Sequence, residues 1–194
     1  MTTPGGERVL PAHAARLGIV ARWKPVHLGH AAVLRALVEY SDSVLIGIGS
    51  SNRYDARNPF TVSETTQMIR LVLPEAANYD LVEVPDLGNG PRWRAMVVEL
   101  FGPLDLFVTA NRRVRDLLRE DYRVVHPVHL VRPHERVAVN GTMVRRRMAL
   151  GEDWQGLVPS AVARFLEGRG LAERFVREFG QGTLEGIPRS PPGD

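Results

Sequence analysis

Cysteine is absent from the 194 residues of the chain, which excludes disulfide bonds, thiolate metal sites and cysteine nucleophiles. Lysine is nearly absent too, since Lys24 is the only one. There is no run of 18 or more apolar residues, so we expect no membrane span and no membrane partner. The N-terminus lacks the basic and then apolar layout of a secretion signal, and the expected compartment is therefore the cytoplasm.

Hydrophobic residues make up 44% of the chain and charged residues 24%, which is typical of a folded globular protein. We expect a flexible leader at 1–15, where Gly, Pro and Ala are frequent, then a single domain at 16–180 and a disordered tail at 181–194. The positive charge is nearly all arginine, whose planar guanidinium suits phosphate oxygens. The composition is therefore compatible with phosphate binding but does not by itself indicate it.

Short apolar runs alternate with amphipathic segments along the chain. The runs predict five strands, at 17–21, 43–49, 79–84, 104–109 and 122–125. Helices are predicted from His30, Ser63, Pro91 and Val114, and then, with no further strand, from Asn140 or Thr142, Pro159 and Leu171. This order predicts an α/β protein with a Rossmann-like, doubly wound parallel sheet of about five strands and C-terminal helices.

The segment 22–30, Arg-Trp-Lys-Pro-Val-His-Leu-Gly-His, joins the first predicted strand to the first helix. Ligands of open parallel sheets bind beyond the carboxyl ends of the strands, and a helix N-terminus attracts anions. His27 and His30 therefore meet at a position suited to a polyphosphate. Transfer at phosphorus depends mainly on positioning and charge stabilisation, which such side chains supply.

Other motifs predict less. His126 and His129 are paired, but Pro127 breaks the helix that a metal site would use, so we interpret this pair as structural. No carboxylate or cysteine stands at ligand spacing near the first two histidines, and no protein metal site is predicted. The glycines at 47–51 match neither a Walker motif nor a dinucleotide fingerprint. The arginines at 112–115 lack interleaved aromatics, so we expect no nucleic-acid partner.

The segment 22–30 resembles the signature of the nucleotidyltransferase superfamily, in which a nucleoside triphosphate loses pyrophosphate to a phosphate-bearing acceptor. Two further stretches, 46–61 and 140–148, resemble the archaeal-type nicotinamide mononucleotide adenylyltransferases. Trp93 and the turn at 109–111 fall at that family's spacing. The resemblance spans about residues 17–175 and includes three motifs in the same order.

The resemblance implies roles for particular residues. The catalytic residues, which contact the triphosphate, are His27, His30, Arg22, Arg57 and Arg145. The nucleotide-binding residues are Trp23, Gly29, Asn111, Gly141 and Thr142, and the acceptor-binding residues are Trp93 and Asn89. Magnesium is expected on the phosphate oxygens of the substrate. A helix points consecutive arginines in different directions, so one of Arg145, Arg146 and Arg147 is expected to reach the site.

Departures from the family concentrate around the acceptor. Gly90 stands where the family carries Asn, with Asn89 adjacent, and residues 137–139 replace an arginine-containing stretch. Trp93 lies on a predicted helix with Met96 and Val97, so packing in the core is an alternative to stacking on the acceptor. The resemblance therefore indicates the reaction more firmly than the acceptor.

The expected function is transfer from a nucleoside triphosphate to a small phosphorylated acceptor, with ATP and nicotinamide mononucleotide giving NAD as the leading pair. CTP remains open as the donor. One alternative is a cytidylyl or adenylyl transferase acting on a small phosphate or phosphonate in specialised metabolism. Another is a non-catalytic nucleotide-sensing module. A homo-oligomer also remains open, since family members are often hexameric.

Overall fold

The computed structural model describes residues 10–185, and in them five parallel strands form one sheet flanked by seven α-helices. The strands are β1 (Ala14–Ala21), β2 (Ser41–Gly49), β3 (Tyr79–Val84), β4 (Leu106–Val108) and β5 (Val124–Val125). The helices are α1 (Leu28–Tyr40), α2 (Val62–Val72), α3 (Gly90–Phe101), α4 (Arg112–Leu118), α5 (Gly141–Leu150), α6 (Ser160–Gly168) and α7 (Leu171–Glu185). The predicted α/β class and the five parallel strands are confirmed.

The sheet separates two apolar cores, because successive side chains of a strand point to opposite faces. Along β2, Val44, Ile46 and Ile48 enter the larger core, while Leu45 enters the smaller one. The larger core also receives side chains of α1, α2, α5, α6 and α7, and the smaller core those of α3 and α4. Both faces are therefore covered, as a buried parallel sheet requires.

Two glycines let α3 approach the middle of the sheet. A Cβ atom on Gly18 would lie 2.5 Å from the side chain of Leu104 and 2.8 Å from that of Phe101. A Cβ atom on Gly47 would lie 2.7 Å from the side chain of Val20 and 3.0 Å from Phe101. Phe101 is fully buried at this point. The glycines in these two strands thus serve helix packing.

The strand order β3-β2-β1-β4-β5 creates the crevice that holds the candidate site. The chain leaves β1 for β2 on one side and later returns to β4 on the other side. At such a switch point the connections diverge beyond the carboxyl ends of the strands, and a ligand-binding crevice opens there. Among residues 10–185, no helix has the length and apolar character needed to cross a membrane.

Several element boundaries differ from those predicted. Helix α2 begins before Ser63, because Thr61 is its N-cap and forms a capping box with Glu64. Strand β1 begins at Ala14, inside the predicted leader, and α7 continues to Glu185, past the predicted start of the tail at 181. The rest of the predicted leader and tail, 1–9 and 186–194, lies outside the described residues.

Candidate active site

A cavity of ≈ 1280 Å³ lies at the carboxyl ends of β1 and β4. Its walls come from the segment after β1, the starts of α1, α3 and α5, and the turn after β4. One part, here called the histidine end, is formed by Lys24, His27, His30 and Arg145. The other, here called the tryptophan end, is formed by Asp86, Asn89 and Trp93.

His27 is the N-cap of α1. Its Nδ1 accepts the backbone N–H of His30 at 3.2 Å, so the proton of the neutral ring is on Nε2. The rings of His27 and His30 stack with their centroids 3.6 Å apart and 18° between their planes. Both line the cavity. The predicted pairing of the two imidazoles at a helix start is therefore what the structure shows.

Both histidines are neutral at physiological pH. Burial, followed by the positive charge of Arg145, lowers the pKa of His27 from 6.5 to about 4. Burial, followed by the charge of His27, lowers the pKa of His30 well below 6.5, although the backbone of Pro25 opposes this shift. These rings can donate hydrogen bonds to a ligand without adding charge to the site.

Trp23 supports the histidines from the wall of the cavity. It is buried, with 1% exposure, and its Nε1 donates to the carbonyl of Gly47 at 2.9 Å. Its ring lies 4.7 Å from that of His30. Trp23 has a φ of 57°, in the left-handed region that non-glycine residues seldom adopt. The structure thus gives this predicted nucleotide-binding residue a supporting contact with His30.

Gly29 makes room for the segment 137–139. A Cβ atom at Gly29 would lie 3.1 Å from the carbonyl oxygen of Val139 and 3.2 Å from that of Val137. Both of these valines also line the cavity. The close approach expected at Gly29 is therefore made by backbone from a distant part of the chain.

Arg145 is the most enclosed arginine of the site, with 7% exposure. Its Nη1 donates to the carbonyl of Lys24 at 2.9 Å, and its Nη2 donates to Oγ1 of Thr142 at 3.3 Å. Burial, then the charges of Arg22 and Arg57, lower its pKa to about 10, so the guanidinium remains charged at neutral pH. The charges of the two other predicted arginines, Arg22 and Arg57, thus act on the guanidinium of Arg145.

The start of α5 forms the wall beside Arg145. Asn140 is the N-cap and accepts the backbone N–H of Met143 at 3.0 Å. Gly141 and Thr142 follow in the first turn and line the cavity. A Cβ atom at Gly141 would lie 2.8 Å from Nη1 of Arg145. The predicted anion-binding helix start is therefore present at the cavity, and its glycine makes room for the guanidinium.

The other two predicted arginines, Arg22 and Arg57, differ in their position relative to the cavity. Arg22 lines the cavity at the end of β1. Arg57 is exposed at the tip of a turn formed by residues 55–58 and is not part of the cavity wall, although its charge lowers the pKa of Arg145. Arg146 borders the cavity beside the buried Arg145, but its own side chain is exposed to solvent. Arg147 instead donates to the carbonyl of Asp153 at 2.9 Å.

Helix α3, which carries the tryptophan end, and helix α4 both begin at the cavity. Asn89 caps α3 by accepting the backbone N–H of Arg92 at 2.9 Å, and Asn111 caps α4 by accepting that of Arg113 at 2.9 Å. Both amides line the cavity and keep an NH₂ group for a ligand. Trp93 is half-buried, lines the cavity and also packs against the smaller core. Trp93 can therefore pack against the smaller core and still present part of its ring to the cavity.

Two residues that line the cavity, Lys24 and Asp86, are not among the predicted site residues. Lys24 is 2% exposed, and its Nζ donates to the carbonyl of Ser50 at 3.2 Å. Burial is the main cause that lowers its pKa. Asp86 lines the tryptophan end, where its backbone exchanges two hydrogen bonds with the side chain of Asn52. Its position two residues after β3 was the signal that could have identified it.

The second pair of histidines, His126 and His129, belongs to a short 3₁₀ helix and its cap. His126 caps a short 3₁₀ helix, Pro127–His129, by accepting the backbone N–H of Val128 at 3.2 Å. The centroids of the His126 and His129 rings are 6.5 Å apart. Within residues 10–185, no group of three or more His, Asp or Glu side chains is arranged to hold a metal ion.

Known proteins share this sequence pattern and this fold. The sequence profile of the cytidylyltransferase-like family matches residues 20–147. The nicotinamide-nucleotide adenylyltransferase of Thermococcus kodakarensis is 38% identical over 154 residues, covering 76% of this chain and 79% of that protein. The enzyme of the same name from Picrophilus torridus is 36% identical over 155 residues, covering 78% of this chain and 90% of that protein.

The fold is also found in a bifunctional NMN adenylyltransferase/ADP ribose pyrophosphatase from Francisella tularensis, solved with AMP and a manganese ion. The TM-score is 0.65 at 17% sequence identity, over 89% of this chain. The chain spans about half the length of that protein, 54%. At this identity the likeness concerns the fold alone.

Proposed function

Because the chain belongs to the cytidylyltransferase-like family and, within it, to the archaeal-type nicotinamide mononucleotide adenylyltransferases, we propose that it transfers the adenylyl group of ATP to nicotinamide mononucleotide, giving NAD and pyrophosphate. The observation that carries this proposal is the histidine end of the cavity. There, two neutral imidazole donors and a buried arginine converge on one space. The volume of ≈ 1280 Å³ is large enough for two nucleotides.

The reaction is a single displacement at phosphorus. An oxygen of the acceptor's 5′-phosphate attacks the α-phosphorus of ATP and forms the new P–O bond. The bond from the α-phosphorus to the bridging oxygen breaks, and pyrophosphate leaves with that electron pair. No covalent bond to the protein forms, so catalysis consists of positioning and of stabilising the developing negative charge.

The side chains of the histidine end suit these two tasks. Nε2–H of His27 and the ring of His30 donate to the oxygens of the α-phosphate, where charge develops. Arg145, Arg22 and the first turn of α5 hold the phosphates that become pyrophosphate. The low pKa of His27 means that it acts as a hydrogen-bond donor and not as an acid. Pyrophosphate is a stable anion and needs no proton in order to leave.

We assign the tryptophan end to the acceptor. The indole ring of Trp93 offers a face to an aromatic base, and Asn89 and Asp86 offer polar groups beside it. The turn with Asn111 is assigned to the adenosine. A divalent cation fits this site only through the substrate, because the described residues offer no cluster of protein ligands. We propose magnesium on the phosphate oxygens, where it neutralises part of their charge.

The test is pyrophosphate release with each of the four common nucleoside triphosphates, with and without nicotinamide mononucleotide, alongside direct measurement of NAD. We expect release only when ATP and nicotinamide mononucleotide are both present, in amounts equal to the NAD formed. A preference for CTP, or turnover with another small phosphate or phosphonate, would replace this acceptor and keep the reaction class. Tight nucleotide binding without turnover on any acceptor would instead indicate a sensing module.

A further inference from the structure

Charged groups of both signs, from two other segments of the chain, act on Arg145. The charges of Arg22 and Arg57 lower the pKa of Arg145, and the carboxylate of Asp55, on the same turn as Arg57, opposes this shift. Arg145 is anchored on α5 by its hydrogen bonds to Lys24 and Thr142. Arg57 is exposed on a turn and does not line the cavity. The position of Arg57 relative to Arg145 therefore depends on how this turn is attached to the rest of the protein.

The turn that carries Arg57 is internally ordered. Oδ1 of Asp55 accepts the backbone N–H of Arg57 at 2.8 Å, the backbone N–H of Asn58 at 2.9 Å and the side-chain amide of Asn58 at 2.9 Å. The backbones of Asp55 and Asn58 also exchange two hydrogen bonds. These contacts shape the turn, but they do not attach it to the rest of the protein.

The attachment comes from α7, at both ends of the turn. Arg174 donates to Oε1 of Glu64 at 2.6 Å, to Oε2 of Glu64 at 2.8 Å and to the carbonyl of Pro59 at 3.1 Å. Glu64 in turn accepts the backbone N–H of Thr61 at 2.8 Å. Residues 59–61, immediately after the turn, are thus held by one half-buried ion pair.

The residue before the turn is held by the same helix. The guanidinium of Arg174 lies 5.8 Å from the centre of the Tyr54 ring. The hydroxyl of Tyr54 donates to Oε2 of Glu178 at 2.6 Å, and its ring meets the edge of Phe179 at 5.1 Å. Helix α7 also packs along α5, which carries Arg145. Helix α7 therefore contacts both the residues around the turn that carries Arg57 and the helix that carries Arg145.

We propose that Arg174 is a positioning residue, which holds the turn 55–58 so that Arg57 stays within reach of the triphosphate. The proposal rests on the proposed function, because the triphosphate is the ligand that Arg57 would meet. Arg174 itself does not line the cavity. Its effect reaches the ligand through Pro59, Glu64 and Tyr54, and a loss of Arg174 should therefore act only through Arg57.

The test is a double-mutant cycle read by calorimetric titration of sodium tripolyphosphate into the full chain. We expect Arg57→Met and Arg174→Met each to weaken binding by roughly fivefold to tenfold, the range for losing one charge-assisted contact in part. The double variant should bind no more weakly than Arg57→Met alone, because the arginine that Arg174 positions is already gone. The KM for ATP should rise in parallel, while the KM for nicotinamide mononucleotide stays unchanged.

Arg94 offers a matched control. It forms an equally close ion pair with Asp121, at 2.6 Å, and with Glu120, at 2.8 Å, but on α3 and outside the cavity wall. Arg94→Met breaks the same kind of contact and should leave tripolyphosphate binding unchanged. Single effects that multiply in the double variant would overturn the proposal, as would normal binding in Arg57→Met or in Arg174→Met.

Two milder variants decide the matter if Arg174→Met does not fold. Arg174→Lys keeps the charge but loses the forked contact, and Tyr54→Phe removes only the hydroxyl that donates to Glu178. Each should weaken binding by about twofold to threefold in the presence of Arg57 and not in its absence. Wild-type binding in both would overturn the proposal. Tripolyphosphate binding needs no turnover, so the result does not depend on whether the protein makes NAD. A failure of the proposed function and a failure of this proposal can therefore be told apart.

Discussion

The side chains of the histidine end are more deeply buried than those of the tryptophan end. At the histidine end, Lys24, His27 and Arg145 are 2%, 6% and 7% exposed, and the side chain of each forms a hydrogen bond with a backbone group. At the tryptophan end, Trp93 is half-buried, and the side chain of Asp86 is 46% exposed. Donors that are held before the ligand arrives need no reorganisation during the reaction.

This difference indicates which part of the substrate pair each end determines. The enclosed end offers fixed donors and positive charge, which suit the phosphates common to every nucleoside triphosphate. The open end consists of one helix cap, one exposed carboxylate and one half-buried aromatic ring, so fewer of its groups are fixed in place. The family departures noted in the sequence, such as Gly90, also fall at this open end.

The largest expected effect is at His30. His30→Ala removes a ring that lines the cavity, while the backbone N–H that caps α1 through His27 is kept. We expect kcat to fall by about two orders of magnitude or more, as when one transition-state donor is lost. His129→Ala, which lies outside the cavity wall, serves as the control and should be normal. Near-normal turnover in His30→Ala would remove the histidine end from the mechanism.

The next effect concerns stability at low pH. The pKa of His27 falls from 6.5 to about 4 on folding, so between these values the unfolded chain binds more protons than the folded one. Stability is therefore lost as the pH falls, and His27 alone should account for about 2 kcal/mol between about pH 7.5 and about pH 5. Urea unfolding of the ligand-free protein measures this loss.

His27→Asn is the matched variant for the pH experiment, since its side-chain oxygen can still accept the N–H of His30. It should unfold with a smaller dependence on pH than the wild type. An equal dependence in both proteins would mean that His27 is not buried in its neutral form.

A smaller effect is expected at Gly141. In Gly141→Ala the new Cβ would lie 2.8 Å from Nη1 of Arg145, so the guanidinium must move from the carbonyl of Lys24. We expect the KM for ATP to rise by roughly tenfold, as for one lost charge-assisted hydrogen bond. Gly168→Ala is the control, because its Cβ would meet no atom within 4 Å. If the two variants behave alike, the placement of Arg145 does not matter for ATP.

The smallest effect tests the tryptophan end. Trp93→Leu keeps an apolar side chain against the smaller core but removes the ring face. We expect the KM for nicotinamide mononucleotide to rise by roughly fivefold, the scale of one stacking contact, and the KM for ATP to stay the same. A loss of thermal stability with an unchanged acceptor KM would show that Trp93 serves packing alone.

Local sequence patterns predicted much of the fold, because the relevant forces act over a few residues. The apolar run at 43–49 and the alternating pattern of the helices follow from burial alone. Helix starts were less accurate: the pattern suggested Ser63 as a cap, but the capping box of Thr61 and Glu64 places the start of α2 earlier. Both residues can cap a helix, and the choice depends on the surroundings of Glu64, which pairs with Arg174.

The candidate site was predictable where its residues are neighbours in sequence and unpredictable where they meet across the fold. His27 and His30 are three residues apart, and a helix start brings them together. The carbonyls that face Gly29 come from residues 137 and 139, and the partner of Glu64 lies 110 residues further along the chain. No local pattern encodes such contacts, because they depend on how the strands and helices are ordered in space.

The sequence by itself determined the alternation of strands and helices, the pair of histidines at the first helix start and the family resemblance that names the reaction. Only the tertiary structure decided that the pKa values of both histidines are lowered, that Arg145 and Arg146 border the same cavity, and that α7 contacts residues on both sides of the turn of Arg57. The physical reason is that burial, pKa and the distance between charges belong to the packed chain. They come into being when distant segments exclude water from the same small volume.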